Sequence, residues 1–284
     1  MSFSVWNAVP RATAGVFVMA VMPAPDVAVA QGVLEAEPTV ERFEEPGPFG
    51  FERVRRALGT WGVMIGAGAT LQPVYEGSDE LEVEPIPFAS VTLYDRVTVD
   101  PTGISADVFR TGPVTFALKG GYEVGRDEDA SRDLRGLGDV DAGGTIGGRI
   151  SAAFGMFEVY ADVTKTIGGS DGLTGVAGVE ASFAATEWLR LGAGASATFA
   201  DENHMRAYFG VDRGQARRSG YARYEPDAGL KRLDLTASAT VAVNGNWFVR
   251  SEAGVGFLVG DAADSPIVRD EVQPSAMLIV GYRF

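Results

Sequence analysis

The residue best suited to acid–base chemistry is His204, the only histidine in the 284-residue chain. Asp201 precedes it by three positions, and an imidazole that a carboxylate orients can act as a general base near neutral pH. The sequence places no nucleophile and no second orienting group beside this histidine, however. We therefore expect His204 to be incidental, and we predict that the chain has no catalytic residues and is not an enzyme.

Carboxylates that could bind a metal ion are concentrated in residues 126–141. They supply enough oxygen atoms for a Ca²⁺ site, but their spacing does not match an EF-hand loop. Arginines are interspersed with them, so we expect a solvated loop held by Asp–Arg pairs. The chain has no cysteine, which removes disulfides and thiolate metal ligands. The sequence thus predicts neither a metal site nor a cofactor.

A second long loop, residues 201–226, combines aromatic side chains with clustered arginines. Guanidinium groups bind phosphates and carboxylates through paired hydrogen bonds. This loop could therefore hold lipopolysaccharide phosphates or another anionic ligand, it could fold inward as a plug, or its residues could simply pack together. The candidate ligand residues are Arg206, Tyr208, Arg213, Arg217, Arg218 and Tyr221.

Further charges recur in segments that alternate apolar and polar positions. They fall on the parity opposite the apolar side chains, with six cations and six anions among them. A pore selective for one sign of ion would carry an excess of one sign along its wall. The balance favours ion pairs across a narrow, poorly conducting interior over an open channel. The candidate lumen-lining residues are Lys119, Glu123, Arg149, Glu158, Asp162, Glu180, Arg190, Arg232, Asp234, Arg250, Glu252 and Arg283.

Long strands must position these charges. Residues 233–243 alternate apolar with polar side chains, and residues 247–259 repeat the pattern after Asn244-Gly245, a dipeptide suited to a tight hairpin turn. Both segments have the length that a tilted strand needs to cross a bilayer. A charge on the lipid-facing parity would cost about 2–4 kcal/mol near the bilayer midplane. The partition of charges therefore favours a membrane barrel over a soluble sandwich.

The connections between the strands alternate between short and long. Bacterial outer-membrane barrels have short periplasmic turns and longer outer loops. Counting the short pair on either side of Pro101 gives twelve strands, and ten remain if residues 96–110 lie outside the barrel. We predict an all-β fold, a closed antiparallel transmembrane β-barrel of twelve strands over residues 60–284, with ten as the alternative.

The two ends of the chain predict its location. Residues 1–30 read as an export signal, with Arg11 before an apolar stretch and a small-residue cleavage site ending at Ala30. Residues 31–59 are rich in Glu and Pro and are expected to be a largely disordered periplasmic segment. The carboxyl-terminal Phe284 resembles the signal that the barrel assembly machinery recognises. We predict the outer membrane of a Gram-negative bacterium, in contact with lipid and lipopolysaccharide. The net charge of −14 argues against nucleic acid as a partner.

Several motifs in a fixed order resemble the MipA/OmpV family of outer-membrane proteins. They cover the predicted barrel, and comprise the stretch from Trp61 to Gly68, the stretch from Pro73 to Asp79, Gly125-Arg126-Asp127, the stretch from Leu134 to Asp141, Tyr208-Phe209-Gly210-Val211, Ser219-Gly220-Tyr221 and the stretch from Leu258 to Val268. The acidic segment 31–59 is not part of the shared pattern.

The resemblance implies an outer-membrane barrel and supplies no catalytic residues. The family's named member is a scaffold that joins a lytic murein transglycosylase to a bifunctional penicillin-binding synthase, and other members are described as antigens, adhesins or porin-like proteins. The resemblance therefore implies a non-enzymatic scaffold in peptidoglycan remodelling, with those two enzymes as partners. The alternative is a narrow channel or an outer-membrane protein that binds small molecules or antibiotics.

Overall fold

The computed structural model of this chain describes residues 61–284. The predicted export signal and acidic segment lie outside the described residues. The described chain contains twelve strands, two α-helices and two short 3₁₀ turns at Arg132–Leu134 and Gly260–Ala262. The strands are β1 (Trp61–Pro73), β2 (Leu81–Leu93), β3 (Val97–Asp100), β4 (Gly103–Thr111), β5 (Val114–Glu123), β6 (Gly143–Phe154), β7 (Phe157–Gly168), β8 (Leu173–Ala184), β9 (Leu189–Ala200), β10 (Gly229–Ala242), β11 (Trp247–Leu258) and β12 (Val272–Arg283), and the helices are α1 (Glu202–Phe209) and α2 (Arg213–Ser219).

The strands form a closed antiparallel barrel. Each strand pairs with its neighbours in sequence, and β12 pairs with β1 in a seam that runs from Met64↔Arg283 to Leu71↔Ala276. The short pair on either side of Pro101 forms β3 and β4 within the wall. The prediction of an all-β barrel of twelve strands is confirmed, and the ten-strand alternative is set aside.

The wall separates apolar from polar side chains by strand parity. On β6 and β7 the outward positions carry Ile146, Ile150 and Val163, each more than half exposed. The inward positions of the same strands carry Arg149 and Asp162, which contact each other across the pair. Apolar side chains without a protein neighbour are expected where lipid is the solvent. No helix among residues 61–284 combines the length and apolar character needed to cross a membrane.

Short turns connect the strands at one end of the barrel, which we term the turn end. Tyr94 and Asp95 take positive φ angles of 52° and 53°, and the Arg96 amide donates to the Leu93 carbonyl at 3.0 Å. Both central residues of this tight turn are thus in the left-handed region, and three residues, 94–96, separate β2 from β3. In bacterial outer-membrane barrels the short turns face the periplasm.

The turn at Asn244-Gly245 differs from the expected tight pair. Four residues, 243–246, separate β10 from β11, and Gly245 does not take a positive φ. The Asn244 side chain instead accepts the amides of Asn246 and Trp247 at 3.0 and 2.9 Å. The expectation of a two-residue turn was wrong because asparagine can stabilise a longer turn through its own side chain.

The long connections pack together at the opposite end into a folded cap. We define the cap as residues 74–80, 124–142, 201–228 and 259–271. Its first apolar cluster contains one or two residues from each of these four segments. The second cluster joins α1 to the last segment and to the ends of β9 and β11. The buried members are Tyr75, Leu134, Leu137, Val211 and Ile267 in the first cluster, and Ala200, Met205, Phe209, Leu258 and Ala262 in the second.

The seam between β1 and β12 requires a glycine at position 68. A Cβ added to Gly68 would lie 2.1 Å from the Leu278 carbonyl oxygen and 2.9 Å from Ile279 Cγ1. Gly144 on β6 is a matched control, because a Cβ there meets no atom within 4 Å. We expect Gly68→Ala to reduce the folded, heat-modifiable fraction in an electrophoretic refolding assay, and Gly144→Ala to leave it unchanged. Equal folded fractions for the two variants would contradict the steric argument.

Candidate functional site

Lys231 enters the barrel because β10 is irregular at this position. The register of β10 against β9 shifts between Leu230 and Arg232. A bulge of this kind adds one residue to a strand and interrupts its strict alternation. Lys231 and Arg232 therefore both reach Glu76 in the cap. Lys231 is 6% exposed, so its charge lies out of solvent.

Lys231 is the centre of a buried polar network beneath the cap. Its Nζ donates to Glu76 Oε2 at 2.8 Å and lies 3.1 Å from His204 Nε2. Arg232 Nη1 lies 3.6 Å from the other oxygen of Glu76. Lys231 of β10 thus links the cap connection that contains Glu76 to helix α1, which contains His204.

The lysine fixes the tautomer of His204. An ammonium group has protons to donate and no lone pair to accept with, so His204 Nε2 must be the acceptor and the ring proton resides on Nδ1. That atom faces Glu123 Oε1 at 3.5 Å, which is too long for a good hydrogen bond. The other Glu123 oxygen accepts from Ser170 Oγ at 2.7 Å.

The network shifts the pKa values of its members outside the strands. Burial alone would raise the pKa of Glu76, but the charges of Lys231 and Arg232 outweigh burial and lower it to about 2. Burial lowers the pKa of His204, and the neighbouring Lys231 charge lowers it further. Burial and the nearby Glu123 carboxylate raise the pKa of Tyr208. Near neutral pH, Glu76 is therefore ionised and His204 is neutral.

The order of groups differs from that of a nucleophilic catalyst. In a catalytic triad the imidazole lies between the hydroxyl and the carboxylate and takes the hydroxyl proton. Here the carboxylate of Glu123 lies between Ser170 and His204, and the Ser170 hydroxyl donates to Glu123. The arrangement can hold charge and fix the cap on the barrel, but it does not prepare Ser170 to attack a substrate.

Ion pairs occupy the interior along β5, β6 and β7. Asp162 is bonded by Lys119 Nζ at 2.8 Å and by Arg149 Nη1 at 3.0 Å. Arg149 also donates to Glu158 at 2.9 Å and lies 3.8 Å from the centre of the Tyr160 ring. Charges bonded to several partners are costly to separate when they are shielded from solvent.

The other candidate lumen residues lie on the same inward parity. Arg232 pairs with Asp234 at 2.6 Å, and Arg250 pairs with Glu252 at 2.9 Å. Glu180 is half-buried, whereas Arg190 and Arg283 are exposed near the turn end. That these residues line a pathway for a ligand or solute stays a prediction.

The structure does not gather the candidate outer-loop residues into one site. Arg206 pairs with Glu202 on its own helix α1, while Tyr208 faces the buried network. Arg218 donates to the Gly136 carbonyl at 3.1 Å, and Tyr221 lies against Arg269 with a ring-to-guanidinium distance of 5.3 Å. Arg213 and Arg217 project from α2 and are exposed.

Carboxylates of the acidic connection bond mainly to backbone amides. Glu128 accepts the amides of Gly136 and Gly138 at 3.0 and 2.9 Å, and Asp139 accepts the amide of Glu128 at 2.8 Å. Asp133 pairs with Arg269 of another cap segment at 2.7 Å. Across residues 61–284, no group of three or more His, Asp or Glu side chains is arranged to hold a metal ion.

Sequence reasoning missed Lys231 and Glu76 and treated His204 as incidental. Strict alternation placed Arg232 inside and left Lys231 on the lipid side. Two adjacent cations in a membrane strand are themselves a signal, because one of them must face lipid unless a bulge turns both inward. His204 had no such signal, since its partners come from distant strands.

The comparisons with solved structures return outer-membrane proteins at low identity. OmpT, an in-vitro folded outer membrane protein of Vibrio cholerae, is 7% identical with a TM-score of 0.36, covering 79% of this chain and 96% of that one. The translocator domain of the autotransporter NalP from Neisseria meningitidis is 12% identical with a TM-score of 0.39, covering 83% and 94%. The outer membrane channel DcaP of Acinetobacter baumannii is 10% identical with a TM-score of 0.34, covering 79% and 96%. Structural similarity at these TM-scores does not support an inference about function.

The closed wall of twelve strands, apolar outside and charged inside, defines an outer-membrane β-barrel. No curated protein matches the chain. The sequence profile described as MltA-interacting protein MipA matches residues 65–284. The chain belongs to the MipA family, and the resemblance found in its sequence is confirmed.

Removing the buried cation should destabilise the barrel. Lys231→Met leaves Glu76 buried without its main partner, and breaking a buried pair typically costs about 3–5 kcal/mol. Lys165→Met is the matched control, because Lys165 lies on the lipid-facing parity and bonds the Asp171 carbonyl. Lys165 lies near the cap end of β7, where the cost of a charge facing lipid falls to about 0–1 kcal/mol, so a change within about 1 kcal/mol is expected there. Urea unfolding in lipid vesicles measures both, and similar losses would contradict the role of the network.

Acidification should weaken the cap through His204. The folded pKa of His204 lies below the ordinary value of 6.5, so the unfolded chain takes up the proton first. The stability that depends on neutral His204 is fully present above pH 6.5 and is lost as the pH falls from that value towards the folded pKa. Glu76 affects stability in a lower pH range. Its contribution to the unfolding free energy is present above pH 4.5 and is lost as the pH falls towards its folded pKa of about 2.

The unfolding free energy should therefore be compared between about pH 8 and about pH 5, where histidine titrates. His204→Gln keeps an acceptor for Lys231 but cannot gain a proton, so its curve should fall less steeply than that of the wild type. Parallel curves would show that His204 does not carry this pH dependence.

Proposed function

We propose that this protein is a non-enzymatic scaffold that holds murein-remodelling enzymes at the periplasmic face of the outer membrane. The family description names an MltA-interacting protein. The proposed partner is accordingly a lytic murein transglycosylase of the MltA type, with a penicillin-binding murein synthase as the second.

The observation that carries this proposal is the folded cap. Leu134, Phe209 and Val211 are fully buried within it, and hydrogen bonds tie its segments together. Tyr75 Oη donates to the Ile267 carbonyl at 3.1 Å, and Ser265 Oγ donates to the Phe209 carbonyl at 2.6 Å. Loops with their own apolar core are unlike a mouth built for solute entry, and the interior beneath them is crossed by ion pairs. Such a barrel suits an anchor better than a channel.

The turn end supplies an exposed surface for docking. Tyr94 is 72% exposed, Val243 61% and Met156 44%, and all three lie in short turns between strands. Aromatic residues at this level also anchor a barrel at the membrane interface. Apolar side chains grouped at a solvent-facing end are typical of protein interaction sites. These turns are therefore the candidate docking surface.

A narrow channel is the second candidate, because charged side chains line the inward face of the wall. Arg232 and Asp234 occupy successive inward positions of β10, and Arg250 and Glu252 occupy successive inward positions of β11. Conductance of the refolded mature chain, residues 31–284, in a planar bilayer distinguishes the two functions. Reproducible ohmic steps that change with Arg232→Gln or Glu252→Gln would favour transport, and a folded barrel without steps would favour the scaffold.

Removal of the exposed turn side chains should weaken enzyme binding. The test variant is Tyr94→Ala/Met156→Ala/Val243→Ala, assayed in nanodiscs against purified MltA-type transglycosylase by surface plasmon resonance. Loss of interface anchors commonly costs more than 1 kcal/mol each, so affinity should fall by about tenfold or more.

The matched control removes three exposed apolar side chains from the opposite half of the barrel. It is Leu81→Ala/Tyr122→Ala/Ile167→Ala, which are 46%, 59% and 63% exposed, and its affinity should equal that of the wild type. Absence of binding by the wild type, or equal losses in the two variants, would refute docking at the turn end.

A further inference from the structure

The barrel wall is incomplete between β2 and β4, because β3 is short. β3 has 4 residues beside the 13 of β2, and the two strands pair through three residues at the turn end, from Val91 to Leu93. Within the described chain, residues 81–90 have ladder partners on β1 alone. The hairpin of β3 and β4 ends at Pro101, whose carbonyl accepts Tyr122 Oη at 2.8 Å. We term the resulting opening the lateral notch.

The notch lies in the half of the wall nearest the cap. β4 pairs with β5 from Gly103↔Gly121 to Thr111↔Val114, so the gap lies between β2 and β4, where β3 has ended. Strands in a sheet are about 4.8 Å apart, so these two strands, two spacings apart, are on the order of 10 Å from each other there. An opening of that width exceeds the diameter of an extended acyl chain. The missing length of β3 therefore leaves room for one extended chain on this side of the wall.

The edge of β2 that faces the notch carries two prolines. Pro85 and Pro87 have no N–H, and proline within sheets is confined to edges for that reason. Open sheet edges do not occur in hydrocarbon unless they line a cavity, because unpaired backbone groups there cost several kcal/mol each. The prolines reduce the number of unpaired donors, and carbonyl acceptors remain. A molecule in the notch that offers N–H groups would satisfy them.

The interior behind the notch is apolar, unlike the charged interior along β5 to β7. Ile86 on β2 and Ile279 on β12 flank Gly68 of β1 in one cross-strand row. Phe88 occupies the inward position beside Ile86, and Met277 occupies the one beside Ile279. Met277 and Ile279 are 8% and 2% exposed. Met277 and Ile279 therefore form the covered back of the strip, and the partly exposed Ile86 and Phe88 offer the apolar surface for the hydrocarbon tail of an amphiphile.

Polar groups at the two ends of the strip have unmet hydrogen-bonding capacity. Ser90 is 1% exposed, and its Oγ has no partner among the described residues. At the cap end, Glu82 Oε1 is also buried without a partner. Glu84 accepts from Gln72 Nε2 at 3.1 Å. Within residues 61–284 neither carboxylate has a cation beside it, unlike the carboxylates beneath the cap.

We propose that the lateral notch admits a single-chain cationic amphiphile from the outer leaflet into the barrel interior. Its tail lies along the apolar strip with Ile86 and Phe88, and its ammonium head binds Glu82 and Glu84. A cation supplies the missing partner of the carboxylates, and its N–H groups are donors of the kind that the open edge lacks. An anionic amphiphile would place like charges together. This site is independent of the scaffold function, which depends on the turn end.

The opening is tested by labelling from within the membrane. The chain has no cysteine, so single-cysteine variants each report one position. A maleimide with a long alkyl chain partitions into the bilayer and reacts with thiols that the bilayer reaches. Ile86→Cys should react at least about tenfold faster than Ser196→Cys, which corresponds to about 1.4 kcal/mol in the barrier. Ser196 occupies an inward position of β9 in a fully paired part of the wall.

Phe88→Cys replaces Ile86→Cys if the latter does not fold. Equal rates at the notch and control positions in folded barrels would overturn the proposal, because the wall would then be closed to lipid. Faster labelling at the notch position supports the opening.

Selectivity is tested by equilibrium dialysis with the mature chain in phosphatidylcholine nanodiscs, against empty nanodiscs. Dodecylamine should bind saturably, and dodecanoic acid and dodecanol should not. Glu82→Gln should weaken dodecylamine binding by about tenfold, or about 1.4 kcal/mol. Glu202→Gln on the exposed face of α1 should leave it unchanged. Absence of saturable dodecylamine binding, or equal binding of dodecanoic acid, would overturn the proposal.

Discussion

Every backbone amide and carbonyl in a membrane must find a partner within the protein, because hydrocarbon offers none. The barrel meets this constraint by closing β12 onto β1, where Gly66 and Gly68 let the two backbones approach. The outward apolar parity and the inward polar parity follow from closure, since each strand then has one face in lipid and one inside. The wall departs from this rule between β2 and β4, and the prolines on the open edge of β2 reduce the number of unpaired donors there.

Desolvation of charge is the second constraint, and the protein meets it by pairing. Asp162 has two cationic partners, and Glu76 lies between Lys231 and Arg232. The cap shields the upper network from water, and the network in turn fixes the cap on the barrel. The charged network and the cap together close the outer end of the barrel, which argues against that end as an entrance for solutes. The surface that remains open to other proteins is the turn end, where the proposed scaffold function belongs.

Most of the wall was predictable from the sequence because lipid makes the alternation of side chains strict. The twelve strands and the alternation of short and long connections follow from that pattern. The buried network was not predictable, because it depends on a bulge that breaks the alternation at Lys231 and on contacts between residues far apart in sequence. The packing of the cap was also beyond reach, since its loops obey no period and become neighbours after the barrel has closed.

The seam has a consequence for how the barrel comes together in time. Of the twelve strand pairings, eleven join strands that are consecutive in the chain, and the remaining one joins β1 to β12. Strands that are consecutive in the chain can pair one after another as hairpins. The last pairing must instead bring together two edges of the sheet that are far apart in sequence. Until it does, both edges are free to pair with another chain. The slow and vulnerable step of folding is thus the meeting of the first strand with the last, and the aromatic Phe284, whose amide donates to the Val63 carbonyl at 3.0 Å, lies where that meeting ends.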